Sequence, residues 1–292
     1  MDPNMMKDAH WVMTTKGGVG KTTMALVLLA LIEDRGGRPA VVDCDNAAKI
    51  AAFLPDRAVV RLSIGATSQE IQQDPTLATS YWDKLAELML AGDSLVDFGA
   101  NVDRAVLEWA LQSELGPILA EEGVRLTLWV PTTTDPLGVD SALKVLRAAS
   151  ELFPESRRIL VRNAGHGSLS IWEGRPEMVE AAGLSTHVVD MPRCTSEGWG
   201  LFEKAHMPPL RVLAMSPAEI ASYFSLNPLA AQRARKDLAK WMDAMATALA
   251  PIVFDTGDDI GGSGPQIEGI AGGASPRDVH GTCPGAGGEA RE

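Results

Sequence analysis

Thr15-Lys16-Gly17-Gly18-Val19-Gly20-Lys21-Thr22-Thr23 is the stretch on which the reading of this chain turns. A short apolar run at 9–14 precedes it and reads as a strand. The run that follows reads as the body of a helix over 21–35, apolar on all sides and ended by Gly36-Gly37. Strand, glycine-rich loop, helix is the context in which a backbone can wrap a phosphate. Glycines let N–H groups turn inward with no Cβ in the way. Those groups and the helix N-terminus form a positive cavity suited to a di- or triphosphate. Lys21 adds a full charge for the β- and γ-phosphates, and the Thr22 hydroxyl is placed to ligate Mg²⁺.

The common phosphate-loop pattern G-x-x-x-x-G-K-[ST] fails at its first glycine, where Thr15 stands. A second lysine, Lys16, follows instead, before Gly17-Gly18-Val19-Gly20-Lys21-Thr22. On these residues the chain resembles the deviant Walker A ATPases of the ParA/MinD family, whose motif is K-G-G-x-G-K-[ST]. A dinucleotide fingerprint does not fit: counted from Gly18, the third glycine position holds Thr23. The resemblance implies a P-loop NTPase fold, an α/β doubly wound, mostly parallel sheet with helices on both faces. It implies that Lys16, Gly17, Gly18, Val19, Gly20, Lys21, Thr22 and Thr23 hold ATP with Mg²⁺. It also implies slow hydrolysis coupled to homodimerisation, with Lys16 reaching the other subunit's nucleotide.

The chain has 292 residues, 46% of them hydrophobic, enough for one large α/β domain. It is read as a loose N-terminus over 1–8, an ATPase domain over 9–254 and a disordered tail over 255–292. That last stretch is rich in Gly, Ser, Pro and acids, and it cannot bury enough apolar area to offset ordering entropy. No run of about eighteen apolar residues exists to span a membrane. The acidic, glycine-rich end is unlike the basic amphipathic helix with which MinD-like proteins bind lipid. Residues 1–7 lack the apolar core of a secretory signal, and Cys44, Cys194 and Cys283 form neither a disulfide framework nor a metal pattern. A cytoplasmic location is expected. The net charge of −12 argues against a general nucleic-acid-binding face.

Further strands are expected at 39–43, 59–64, 94–98, 124–130, 159–161 and 187–191. Helices are expected at 75–91 (apolar stripe Leu77, Tyr81, Leu85, Leu88), at 100–119 with a break near Gly116-Pro117, and at 136–153. Others are expected at 199–206, 217–224 and 228–250, the last with Leu229, Leu238, Trp241, Met245 and Leu249 packed. Asp135 before Pro136 reads as a helix cap.

Strand ends carry the remaining chemistry, because ligands of open α/β sheets sit outside the carboxyl ends of strands. Asp43-Cys44-Asp45 closes the second strand. By the resemblance, Asp45 positions the water that attacks the γ-phosphate, and Asp43 helps hold the metal shell. Asp97-Phe98-Gly99-Ala100 stands at the Walker B position. There Asp97 is implied to hold a magnesium-bound water, and Gly99 to let the backbone approach the γ-phosphate. Most ParA proteins carry proline two residues after that acid; Asp-x-Gly-Ala instead resembles the TraL-like branch of conjugal transfer proteins. Asn163 is implied to read the adenine edge, an amide being able both to donate and to accept, and Pro192 and Arg193 to close the base pocket.

The expected function is a TraL-like, Mg-ATP-dependent dimerising ATPase of plasmid conjugation or mobilisation, with protein partners and weak or no non-specific DNA binding. The alternatives are a ParA-type partition ATPase, a non-hydrolysing nucleotide-dependent scaffold, and a small-molecule ligase or kinase. The last would need a substrate cavity beside the γ-phosphate.

Overall fold

The computed structural model describes residues 6–62, 74 and 76–254. The expected tail at 255–292 lies outside the described residues, as do 1–5 and the Ser63-Ile64 end of the expected edge strand.

Strand β1 (Lys7–Val12) leads through the loop into helix α1 (Lys21–Asp34), then β2 (Ala40–Cys44), α2 (Lys49–Phe53) and β3 (Val59–Arg61). Helix α3 (Thr76–Ala91), β4 (Ser94–Phe98), α4 (Asp103–Gln112), α5 (Leu115–Glu121), β5 (Val124–Thr132) and α6 (Pro136–Leu152) follow. The chain continues with β6 (Arg157–Asn163), two 3₁₀ turns, α7 (Pro176–Leu184) and β7 (His187–Met191). It finishes with α8 (Trp199–Lys204), α9 (Pro209–Ala214), α10 (Pro217–Phe224) and α11 (Pro228–Val253). The strands form one seven-stranded sheet in the order β3-β2-β4-β1-β5-β6-β7, and every pairing is parallel. Among the described residues, no helix is long and apolar enough to cross a membrane.

Strand side chains alternate between the faces. Ala9, Trp11, Val42, Cys44, Val96, Phe98, Leu128 and Val130 enter one core, under α3 to α7. Val12, Val41, Leu95, Trp129, Ile159 and Val161 enter the other, under α1 and α8 to α11. By the same alternation Asp43 and Asp97 fall on the face of α1, and the β2–β4 register sets them directly opposite one another. The direction of strand succession reverses around β4 and β1. The site therefore sits at their carboxyl ends, the switch point of the sheet.

Several expectations are corrected. Lys7 and Asp8 belong to β1 rather than to a loose start, and Asp8 pairs with Arg125. Among the described side chains of α3, Trp82, Leu85 and Met89 are buried, while Leu77 is 39% exposed. The buried stripe is set by Trp82 against Phe98 and Trp109. The break in 100–119 falls at Ser113-Glu114, where Glu114 is left-handed (φ 49). Gly116 lies inside α5, where a Cβ would stand 2.6 Å from the Leu152 carbonyl oxygen. On α11 Ala231, Ala234, Leu238, Trp241, Met245 and Leu249 keep helical spacing and are buried. Leu229, out of step with them, is 72% exposed.

Two features of this frame can be tested. His10 is buried and accepts a hydrogen bond from Trp129 Nε1 at 3.3 Å. Burial lowers its pKa to about 4, outweighing the neighbouring charges of Asp8 and Asp93. Between pH 6.5 and 4 the unfolded chain therefore takes up a proton that the folded chain refuses, so stability falls as pH falls. At about 1.4 kcal/mol per pKa unit, the full effect is on the order of 3 kcal/mol. The melting temperature of His10→Gln should lie below that of the parent at pH 7, and the gap should narrow at pH 5. Parallel losses in the two proteins would refute this. Gly99 donates to the Cys44 carbonyl at 3.2 Å, and a Cβ there would lie 2.9 Å from Asp45 Cα. Gly99→Ala should destabilise by about 1–3 kcal/mol in urea unfolding, because the Asp45 backbone must move.

Candidate functional site

The loop between β1 and α1 is held open by its glycines. Gly18 and Gly20 have φ of 76° and 98°, in the left-handed region. A Cβ on Gly20 would also meet Asn163 Nδ2 at 2.6 Å and Met191 Cε at 2.9 Å. Gly20 caps α1 without any side-chain hydrogen bond, and the first turn carries no acid. The N–H groups of that turn remain available to an anion.

The Lys21 side chain is buried and curls back into the loop. Its ammonium donates to the carbonyls of Thr14 at 3.1 Å and Lys16 at 2.8 Å. An ammonium has three donors, so one is left over. Burial pulls its pKa down, while Asp97, Asp45 and Asp103 act in the opposite sense.

Thr22 Oγ1 donates to Asp97 Oδ2 at 2.8 Å. Asp97 is 1% exposed, and among the described residues its Oδ1 is buried with no hydrogen-bond partner. Burial raises this carboxyl to about 7; Asp43 adds to the rise and Thr22 opposes it. An orphaned carboxylate oxygen beside a threonine hydroxyl fits a divalent cation, which would offset the cost of burying that charge. Among the described residues, no three His, Cys, Asp or Glu side chains converge on a metal by themselves. A cation here would depend on ligands from a phosphate as well.

Asp43 was expected to help hold the metal shell; each of its oxygens accepts a hydrogen bond from the loop after β2. Oδ1 accepts from the Asp45 amide at 2.9 Å, and Oδ2 from the Ala51 amide at 3.0 Å. Helix α2 begins at left-handed Ala48 with no side-chain cap of its own, and Asp43 supplies that function from the strand. Asp45 sits on the turn thus fixed. Its Oδ1 accepts from the Ala47 amide at 3.0 Å, and its Oδ2 lies 3.3 Å from Lys49 Nζ. Gly99 serves the close approach of this turn to β4.

Lys16 pairs with Asp135 in the same chain. Asp135 also caps α6 as expected, accepting from the Leu137 amide at 2.9 Å. The two contacts hold its carboxyl below the usual range. The Asn163 amide, expected at the adenine edge, is engaged within the chain. It donates to the Val19 carbonyl at 2.9 Å and accepts from the Gly165 amide at 2.7 Å. It ties the loop to the end of β6. The Pro192 carbonyl accepts from Trp241 Nε1 at 2.7 Å.

Two cavities open on the loop. One, of about 380 Å³, is bordered by Thr23, Asn163, Pro192, Arg193, Cys194 and Trp241. The other, of about 340 Å³, is bordered by Lys21, Thr22, Asp45, Lys49, Phe53 and Phe202. Trp199 lines both. Sequence reasoning missed Lys49, Trp199 and Asp103, whose Oδ2 accepts from Thr15 Oγ1 at 2.9 Å. An i,i+4 spacing from Asp45 was the one local signal for Lys49. The other two reach the loop through tertiary packing alone.

Residues 11–161 match the family model described as the CobQ/CobB/MinD/ParA nucleotide binding domain. No curated protein sequence matches the chain. Among solved structures, it is similar to a nucleotide-binding protein from Archaeoglobus fulgidus in complex with ADP. Identity is 15% and the TM-score 0.44, over 70% of this chain and 87% of that one. It is similar to a chain of the MinC:MinD cell division protein complex from Aquifex aeolicus, at 12% identity and TM-score 0.44, over 81% and 96%. It is also similar to a Cyanothece McdA variant in complex with ATP, at 15% identity and TM-score 0.42, over 82% and 96%. With more than half of its length matched by the family model, the chain belongs to the CobQ/CobB/MinD/ParA nucleotide binding domain family.

Proposed function

We propose that this protein is a Mg-ATP-dependent ATPase that dimerises on its nucleotide, with residues 9–254 as the ATPase domain. The observation that carries the reading is a buried Lys21 held by carbonyls rather than by a carboxylate, beside Thr22 and the orphaned Asp97 oxygen. A cation and an acid so arranged, at an uncapped helix N-terminus, suit a phosphate and its divalent ion. In this reading Lys21 pairs with the β- and γ-phosphates, and Thr22 and Asp97 hold the magnesium shell. Magnesium would supply charge neutralisation of the phosphates. Asp45 orients the attacking water, and Asp43 fixes the turn that carries Asp45. Pro192 and Arg193 flank the base, and Asn163 braces the loop. Lys16 leaves Asp135 to meet the nucleotide of a second copy.

We place the activity in plasmid conjugation or mobilisation, with a protein as the main partner; a partition ATPase is the second reading. The surface favours the first. In the basic run Arg233-Ala234-Arg235-Lys236, Arg233 pairs with Glu197 at 2.9 Å, and Arg235 donates to the Leu213 and Met215 carbonyls. Ala234 is buried, so among the described residues only Lys236 of this run has no such tie. Few phosphate contacts mean weak DNA binding with a shallow salt dependence.

Three substitutions test the reading. Lys21→Ala should weaken Mg-ATP binding by about 2–4 kcal/mol in calorimetry; unchanged affinity refutes the site. Asp45→Ala should keep ATP bound and slow phosphate release by about 10²-fold or more. A wild-type rate would make Asp45 a residue of the turn rather than of the hydrolytic machinery. Lys16→Ala should abolish ATP-dependent dimers in light scattering while monomer binding of ATP persists. Dimers of undiminished strength would remove Lys16 from the interface.

A further inference from the structure

Both carboxylate oxygens of Asp45 are engaged within the chain in the arrangement seen here. One carboxylate oxygen is held by the Ala47 amide, and the other faces the Lys49 ammonium at 3.3 Å. Its backbone is pressed against Gly99, so the side chain cannot retreat with its turn. The Asp45 side chain is 14% exposed, whereas that of Lys49 is 54% exposed and sits on the first residue of α2. Lys49 is therefore the mobile member of the pair. It borders the same cavity as Lys21 and Thr22, whereas Pro192 and Arg193 border the other. The charges of Lys49 and Lys21 are close enough for Lys49 to help lower the Lys21 pKa. Two lysines bordering one cavity, with interacting charges, call for an anion there.

We propose that Lys49 is a γ-phosphate contact that gates Asp45: it holds the carboxylate while the γ-phosphate position is empty and leaves it for the phosphate when ATP is bound. The proposal rests on the ATPase reading above. A doubly charged terminal phosphate outcompetes a single carboxylate for an ammonium with a flexible stem. Transfer of Lys49 frees Asp45 Oδ2 to accept a hydrogen bond from water on the phosphate side, where Lys49 then adds positive charge. ADP has no γ-phosphate and leaves the pair closed. The same lysine thus distinguishes the two nucleotides and restrains hydrolytic geometry until the third phosphate is present.

The test compares Mg-ATPγS and Mg-ADP binding by calorimetry in the full chain, in Lys49→Gln and in Lys49→Arg. The parent should bind ATPγS more tightly than ADP. In Lys49→Gln that preference should shrink by about tenfold, the scale of one charge contact, with ADP affinity unchanged. Lys49→Arg should recover most of it. A Gln variant that keeps the parent's ratio overturns the proposal, and so does an equal loss for both nucleotides, which would make Lys49 a support of the turn. Failure of the parent to bind either nucleotide would overturn the ATPase reading itself, a different result from either of these.

Discussion

A lysine ammonium buried without a carboxylate in hydrogen-bond contact is the constraint around which this molecule is arranged. Lys21 is tied to the carbonyls of Thr14 and Lys16 in its own loop. Taking an ammonium out of water is costly unless opposite charge is near. The compensating charge comes from Asp97, Asp45 and Asp103, which reach the loop from separate parts of the chain. A parallel sheet gathers them. Strand ends with one direction all deliver their last side chains to the same edge, and the two-residue alternation sends Asp43 and Asp97 to the face where α1 begins.

Around that centre, several polar residues serve as struts. Asp43 ties the turn after β2 to α2, and Asn163 ties Val19 to the end of β6. Gly99 and Gly20 allow the turn after β2 to meet β4 and the loop to meet Asn163. A site that must hold phosphate geometry within fractions of an ångström needs such support, because its own hydrogen bonds are completed only by a ligand. Acids and amides at strand ends thus also serve to brace the loops.

The lysines divide by their neighbours. Lys21 is enclosed by the loop; Lys16 and Lys49 each sit at the rim with a carboxylate in the same chain. In the proposed reading each rim lysine changes partner, Lys16 for a second copy and Lys49 for a terminal phosphate. Such exposed pairs are weak in water, which suits contacts that are exchanged rather than kept.

The sequence by itself determined the class of fold, the loop and the strand ends. Those rest on local rules: glycine where the backbone must turn, two-residue alternation in strands, caps and prolines at helix starts. Asp135 before Pro136 and the uniformly apolar α1 were legible for that reason. What only the tertiary structure decided was which side chains meet. The rotation of α3 that buries Trp82 and exposes Leu77, the exposure of Leu229, and the placing of Gly116 against Leu152 all depend on the opposing surface. So do the pairing of Lys16 with Asp135, 119 residues away, and the engagement of Asn163 with Val19, 144 residues away. Local pattern reports what a residue can do. Packing across the sheet edge decides which donor finds which acceptor, and that partner determines whether an acid is a ligand, a cap or a strut.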